Sequence, residues 1–405
     1  MEQTTVTAAI ERFEPASGST VDVAEVRTRI LKIRDHLRSV TIQREEQVDM
    51  LILGLVTQQH TVMVGPPGTA KSFLCDLLAA CIDGTYMTHL MTKFTTPDEI
   101  FGGVDFKALQ ADGLHKRNLA GGLADVERAT LDEIFKTNGA MLDSLLKILN
   151  EGTYRDQGGG EIKTPLRSVN GASNEFPHHD NDAAYDRFPL RDIVTPIQGR
   201  RGKMRLLEMT DSHAKGMPKL PQRVTTAELD AVRDAVLDVV VPTVVRTQMC
   251  KLGEALEKDG LVLSDRRFGK GQIPMKAAAW LEGETECSVD DLQVLRFVYW
   301  TTPADRELLI AALSTLDKTE TARSLSEIDE ALRLYAGRPT DRAELTAAIP
   351  GLMMTLKATG ETTVERLKDS ALSKRGKAKI ERRMAELKAA FTDLQGVLNE
   401  APLFG

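Results

Sequence analysis

Cysteine is nearly missing from this chain of 405 residues. The four present, Cys75, Cys81, Cys250 and Cys287, form no C-x-x-C pair. That spacing supports neither a disulfide framework nor a zinc site. No apolar run approaches the ~20 residues that a membrane span needs, so none is expected. The first residues, MEQTTVTAAIERFEPASGST, lack a basic start and an apolar centre. No secretory signal is read there, and a cytoplasmic protein is expected. Net positive charge is also missing: the formal charge is −7. This counts against a dedicated nucleic-acid binder, although a local basic patch is compatible with it. Aromatic residues are only 5%. Long stretches of Ala, Leu, Glu, Lys and Arg take their place and lean helical.

What is present fits a soluble globular protein, with 42% hydrophobic and 27% charged residues. The length predicts two or three domains, since one core rarely grows past roughly 250–300 residues. Residues 1–20 read as a flexible tail. Helical spacing follows over 21–37, through Val23, Val26, Ile30, Ile33 and Leu37. A second helix fits 43–57, with Val48, Leu51, Ile52 and Leu55 on one face.

The sharpest signal is VMVGPPGTAKSFL, residues 62–74. A β-branched run ends in a Gly-rich turn and then a helix running to Asp83-Gly84. Strand, turn and helix are the context of a phosphate-binding loop, G-x-x-x-x-G-K-[ST]. Gly65, Pro66, Pro67, Gly68, Thr69 and Ala70 form the loop. Gly65 and Gly68 let the backbone wrap a triphosphate closely. Lys71 reaches the β- and γ-phosphates of ATP, and Ser72 holds magnesium. Ala70 replaces a common glycine. At a negative backbone angle it costs little, and at a positive one about 1 kcal/mol or more.

Magnesium needs a second acidic partner, and water needs a base. ATLDEIF supplies Asp132 and Glu133 at the end of a candidate strand. Asp132 supports the metal and Glu133 polarises the attacking water, unless the two are only an acidic pair at a helix start. The charged VERA before them shortens this strand to a start near Ala129. TYMTHLM is another strand. Two alternating runs around Asp112-Gly113 signal a hairpin. A helix fits 139–150, and two strands flank a Gly158-Gly159-Gly160 tip. Strands alternating with helices imply an α/β fold with a parallel sheet covered on both faces.

Past about residue 200 the pattern turns helical. Residues 225–258 are in helical phase, and SDRRFGKGQIPMKAAAWLEG and SVDDLQVLRFVYW read as two helices opened by a capping Ser. At the far end Ile380, Met384, Leu387, Phe391, Leu394 and Leu398 form one apolar seam. An intramolecular helical bundle is expected there, with an oligomerising coiled coil as the alternative. GRRGKMR, residues 199–205, is a basic cluster without interleaved aromatics and reads as a solvated connector.

GPPGTAKS, FTTPDEIFGG, LDEIFKTNGAMLDSLLKILNEG, ASNEFP, YDRFPLR and SDRRF stand in an order and spacing that resembles the MoxR group of AAA+ ATPases, closest to its RavA-like branch. The resemblance spans roughly residues 22–300, and Ala before the loop lysine is normal in that group. It implies a P-loop AAA+ core over 21–200 and a helical lid and connector over 201–310; residues 311–405 lie past the resemblance, and their own pattern reads as an all-helical C-terminal region. The resemblance also carries roles across. Asn174 matches the sensor-one residue that orients water. Arg187 matches the arginine finger aimed at a neighbour's γ-phosphate, with Arg191 as competitor. Arg266 matches the sensor-two arginine, with Arg267 as competitor. The segments 104–119 and 154–164 resemble the family's helix-two insert and pre-sensor-one hairpin. Their tips lack an aromatic pair for gripping an unfolded chain.

An arginine finger demands a site completed between subunits, and the family forms hexameric rings. The implied partners are a protein client and a companion with a von Willebrand factor A (VWA) domain. The expected function is magnesium-dependent ATP hydrolysis that remodels, activates or matures the client. Two alternatives stay open: an ATP-gated scaffold with little turnover, to which the charged strand before Asp132 leaves room, and a nucleic-acid motor, which the charge disfavours.

Overall fold

The computed structural model describes residues 21–113, 116–155, 161–177, 182–214, 219–316, 320–339, 341–368 and 374–399. They form two compact units. The first holds the described residues up to Val239 together with Gly269–Thr285; the second holds Val240–Phe268 and the described residues from Glu286 onward.

In the first unit, α1 (Val23–Ser39) starts where the Asp22 carboxylate accepts from the backbone of Ala24 and Glu25. It buries the stripe Val26, Ile30, Ile33 and Leu37. Helix α2 (Glu45–Thr57) is buried almost all round rather than on one face. It packs against α1, the sheet and later helices of the same unit. Strand β1 (Thr61–Val64) is fully buried and leads through the glycine-rich loop into α3 (Lys71–Ala80). The helix ends sooner than Asp83-Gly84 because Ile82 and Asp83 form β2, whose backbone pairs with Val224 and Thr225 of β9. Strand β3 (Tyr86–Leu90) follows, then α4 (Pro97–Phe101), opened by a Thr96–Glu99 capping box.

The hairpin expected around Asp112-Gly113 is instead a short helix, α5 (Phe106–Asp112). Asp105 accepts from the Lys107 backbone at 2.9 Å and starts it. Gly113, at φ 66°, lets the chain leave it. Helix-forming Lys, Leu, Gln and Ala outweigh the short alternation. Among the described residues of the segment the ends pair, through an antiparallel bridge between Val104 and Arg117.

Strand β4 (Arg128–Asp132) and a 3-10 turn (Ile134–Lys136) precede α6 (Gly139–Glu151), which Asn138 caps. Strands β5 (Thr153–Arg155) and β6 (Glu161–Lys163) pair antiparallel; the Gly158-Gly159-Gly160 tip lies outside the described residues. Then come β7 (Ser168–Ser173), α7 (Asp182–Tyr185), β8 (Leu190–Ile193), α8 (Gly199–Ala214), β9 (Val224–Thr225) and α9 (Thr226–Asp238).

The main sheet has the order β3-β4-β7-β1-β8, all parallel. Its register aligns Leu90 with Asp132, and Val64 with both Ser173 and Ile193. Val62, Val64, Leu131, Ile134, Leu145, Val169 and Phe188 are among the side chains of the adjoining core. The connection leaving β1 runs toward the β3 edge and the one leaving its neighbour β7 runs to β8 at the other edge, so a ligand crevice belongs at the carboxyl ends of β1 and β7.

In the second unit Pro242 divides the long helical stretch, and α10 (Thr243–Lys258) follows it. Helix α11 (Asp265–Lys270) begins after Ser264, whose Oγ accepts from the Arg267 backbone at 3.3 Å. The chain returns to the first unit for α12 (Gln272–Leu281). Ser288 forms a capping box with Asp291, but the segment it opens, Val289–Phe297, is a 3-10 helix rather than an α-helix. It packs with α10 and α13 (Pro303–Leu316). Helices α14 (Glu320–Ala336), α15 (Arg342–Leu367) and α16 (Lys374–Asn399) form a three-helix bundle. Ile380, Met384, Leu387 and Leu394 bury the seam against Ile328, Ile349 and Leu356; the Leu398 side chain lies outside those described. The seam therefore packs within the chain. No helix among the described residues is long and apolar enough to cross a membrane.

Candidate nucleotide site

The loop glycines have different reasons to be glycine. A Cβ at Gly65 would lie 2.0 Å from the Val194 carbonyl oxygen, so the residue answers to the close approach of the chain beyond β8. Gly68 has open space but φ of 73°. Ala70 also lies in the left-handed region, at φ 70° and ψ 22°. The strain that the sequence left open is thus present, at about 1 kcal/mol or more. Thr69 ties the loop to itself, donating from Oγ1 to the Pro66 carbonyl at 2.8 Å.

Lys71 is buried at the start of α3. Its Nζ donates to the carbonyls of Gly65 (2.7 Å) and Pro66 (3.0 Å) and to Asn174 Oδ1 (2.8 Å). Burial lowers its pKa, and the carboxylates of Glu133 and Asp132 partly oppose that. Ser72 donates to Asp132 Oδ2 at 2.7 Å. The sheet explains these meetings: Asp132 ends β4, Ser173 ends β7 and Val64 ends β1, side by side.

Glu133 is a second strained residue, at φ 53°. Its carboxylate accepts from the Asn174 backbone N–H at 3.2 Å and from Asn174 Nδ2, and pairs with Lys136 Nζ at 3.3 Å. Asn174 therefore spans the cluster, with its oxygen on Lys71 and its amide hydrogens on Glu133. A hydroxyl beside a carboxylate suits a hard divalent cation, and a buried ammonium at a helix start suits phosphate. The donor set fits magnesium and a nucleotide polyphosphate.

A cavity of about 490 Å³ opens beside the loop. Val40, Ile42, Phe73, Ile197 and Leu206 give it apolar walls, with Arg44 and Lys203 as its cations. Its lining joins the turn after α1, the phosphate loop and α8.

The arginine pairs separate clearly. Arg191 is 1% exposed, stacks 3.9 Å above the Tyr185 ring, and donates to the carbonyls of Tyr185 and Phe188. It is built into the packing of β8. Arg187 is part-buried and pairs with Asp186 at 3.3 Å; its partner is not a member of the Lys71–Glu133 cluster. Arg267 is buried and donates to the Trp300 carbonyl at 2.6 Å, whereas Arg266 is exposed on α11 in the second unit. Sequence reasoning passed over Lys136 and Arg44. The signal for Lys136 was its place three residues after Glu133, which a 3-10 turn brings to the same face. Arg44 had only the polar QREE lead-in to a buried helix.

Residues 28–234 match the family described as the MoxR domain in the MoxR-vWA-beta-propeller ternary systems, and residues 243–312 match an AAA lid domain. An uncharacterized protein of Methanocaldococcus jannaschii is 35% identical over 274 residues, 67% of this chain and 71% of that one. The chaperone MoxR1 of Mycobacterium tuberculosis is 23% identical over 245 residues, 58% of this chain and 63% of its own length. The crystal structure of a candidate ATPase from Cytophaga hutchinsonii superposes with a TM-score of 0.59 at 16% identity, covering 72% of this chain and 95% of that one, a likeness of fold. With its parallel sheet, phosphate loop and matched lid, the chain belongs to the MoxR family of AAA+ ATPases.

Proposed function

We propose that this chain hydrolyses ATP with magnesium at sites shared between the subunits of a ring, and uses the cycle to remodel, activate or mature a protein client. The observation that carries the reading is the linked set Lys71–Asn174–Glu133 beside Ser72–Asp132 at the carboxyl ends of three adjacent strands. Lys71 holds the β- and γ-phosphates, and residues 65–70 enclose them. Ser72 and Asp132 hold magnesium, which when bound neutralises phosphate charge. Glu133 accepts the proton of the attacking water, and Asn174 orients that water. Arg187 reaches a neighbouring subunit's γ-phosphate, and Arg266 couples the helical lid to nucleotide state.

The family description supports a VWA-domain companion, and it names a beta-propeller component as well. The motif set supports the RavA-like branch and a hexameric ring. The ATP-gated scaffold keeps one specific observation in its favour: the Glu133 carboxylate is already occupied by Asn174 and Lys136. The nucleic-acid motor has only the basic start of α8, set against a charge of −7.

The test is ATP turnover per subunit as protein concentration rises, with mass read in parallel. Turnover that climbs as a ring assembles supports the shared site. Assembly without turnover, in the presence of bound ATP, supports the scaffold.

A further inference from the structure

We propose that Arg44, with Gln43 beside it, is a positioning residue that holds the phosphate loop in its polyphosphate-binding shape and fixes that loop to the root of α8. The proposal rests on the nucleotide reading above and adds to it a residue pair outside the loop.

Gln43 and Arg44 form the turn between α1 and α2. Gln43 sits at φ 54°, a conformation that costs a residue with a Cβ. Its side-chain amide clamps the backbone of one residue from both sides: Nε2 donates to the Gln198 carbonyl at 3.0 Å, and the Gln198 N–H donates to Oε1 at 2.7 Å. A Cβ at Gly202 would lie 2.9 Å from Gln43 Nε2 and 2.8 Å from Ile197 Cγ2, so the first turn of α8 rests on this clamp.

Arg44 is 5% exposed. Nε donates to the Thr69 carbonyl at 3.0 Å, Nη1 to the Gln43 carbonyl at 2.6 Å, and Nη2 to the Thr195 carbonyl at 2.9 Å. One planar fork thereby joins the phosphate loop to the chain leaving β8. Its three partners are carbonyls, and burying a cation on carbonyls alone is costly. Burial draws its pKa below the usual arginine value, with the Glu45 carboxylate partly opposing. Its charge also acts on Lys71 and lowers that pKa. Two cations that repel each other at one loop are both relieved by a shared anion, and a polyphosphate on the loop is that anion.

The contact to Thr69 also accounts for Ala70. No peptide bond among the described residues is cis, so the Ala70 N–H points opposite the Thr69 C=O. With the carbonyl held by Arg44, the N–H is turned away from Arg44. Ala70 bears the left-handed angle that follows, and the Arg44 hydrogen bond offsets that cost.

The experiment measures the Kd of magnesium-ATP by calorimetry, with unfolding midpoints in parallel, for wild type, Arg44→Met, Arg44→Lys, Gln43→Ala, Ala70→Gly and Arg44→Met/Ala70→Gly. Arg44→Met and Arg44→Lys are each expected to weaken binding at least ten-fold, since lysine keeps the charge but not the fork. Gln43→Ala is expected to weaken it about three-fold. In the Ala70→Gly background, Arg44→Met is expected to cost no more than three-fold, because glycine accepts the angle unaided. Arg44→Lys binding like wild type overturns the proposal, as does a full Arg44→Met loss in both backgrounds. If Arg44→Met does not fold, Arg44→Lys and Gln43→Ala decide. Wild type failing to bind ATP sinks the nucleotide reading and the proposal together. Wild type and all variants binding alike leaves that reading intact and removes only the role of Arg44.

Discussion

At the carboxyl ends of β1, β4 and β7, a buried ammonium is joined by hydrogen bonds to a half-buried amide, which in turn bonds a half-buried carboxylate, and two non-glycine residues there, Ala70 and Glu133, are left-handed. In the α14–α16 bundle the buried groups include Ile328, Ile349, Leu356, Ile380, Leu387 and Leu394, and among the described residues no charged side chain of the bundle is buried. Arg366 pairs with Glu327 at 2.8 Å on the rim, where an ion pair contributes little. The bundle is held by transfer of apolar surface out of water, which any well-packed set of side chains can supply. The nucleotide face gives up part of that stability for strained backbone and desolvated charge. Such groups persist where the surroundings hold them and a ligand uses them.

Substitutions sharpen this contrast. Glu133→Gln is expected to cut ATP hydrolysis by about 10²–10⁴-fold while ATP binding persists, read by single-turnover kinetics beside calorimetry. In the bundle, Leu394→Ala removes a fully buried side chain and is expected to cost about 2–5 kcal/mol in chemical unfolding.

His60 offers a titration test at the opposite end of the sheet. The Val169 N–H donates to its Nδ1 at 3.0 Å, so the ring proton sits on Nε2 and is donated to the Leu149 carbonyl at 2.8 Å. Burial pushes its pKa down to about 4. The folded state thus holds the ring neutral while the unfolded chain takes up a proton near pH 6.5. Stability is complete above that pH and falls as pH drops toward 4, by about 3 kcal/mol over the window. Unfolding followed across pH 7 to 4, with His60→Gln as the comparison, should show this limb flattened in the variant. The smallest expected effect is at Ala70: Ala70→Gly should raise the unfolding free energy of the first unit by about 1 kcal/mol if relief of strain exceeds the entropy glycine adds to the unfolded chain, and leave it near zero if the two cancel.

Periodic features were legible in the sequence because they depend on neighbours a turn away. The α1 stripe and the α16 seam are of this kind. The phosphate loop and the Asp132-Glu133 pair were legible as motifs, and the parallel sheet followed from alternating elements. What was hidden depends on contacts across the chain. Gly65 reads as a loop glycine, yet its constraint is the carbonyl of Val194. Arg187 and Arg191 are four residues apart in one motif, and their surroundings differ through burial, the stack of Arg191 on Tyr185 and its bonds to two carbonyls. The α5 helix won over a hairpin through a cap at Asp105 that alternation does not register. Arg44 joins loop segments from three parts of the chain, and no local pattern announces it.

If two subunits complete one site, its two halves can be separated by substitution and rejoined by mixing. Glu133→Gln keeps Arg187 but lacks the proposed base; Arg187→Ala keeps that proposed base but lacks the proposed arginine finger. Each alone should assemble and fail to hydrolyse ATP. Mixed, with co-assembly followed by mass, they should regain turnover, because some sites then pair an intact Glu133 with a neighbour's intact Arg187. A co-assembled mixture that stays silent, or Arg187→Ala alone hydrolysing at the wild-type rate, would contradict the shared site.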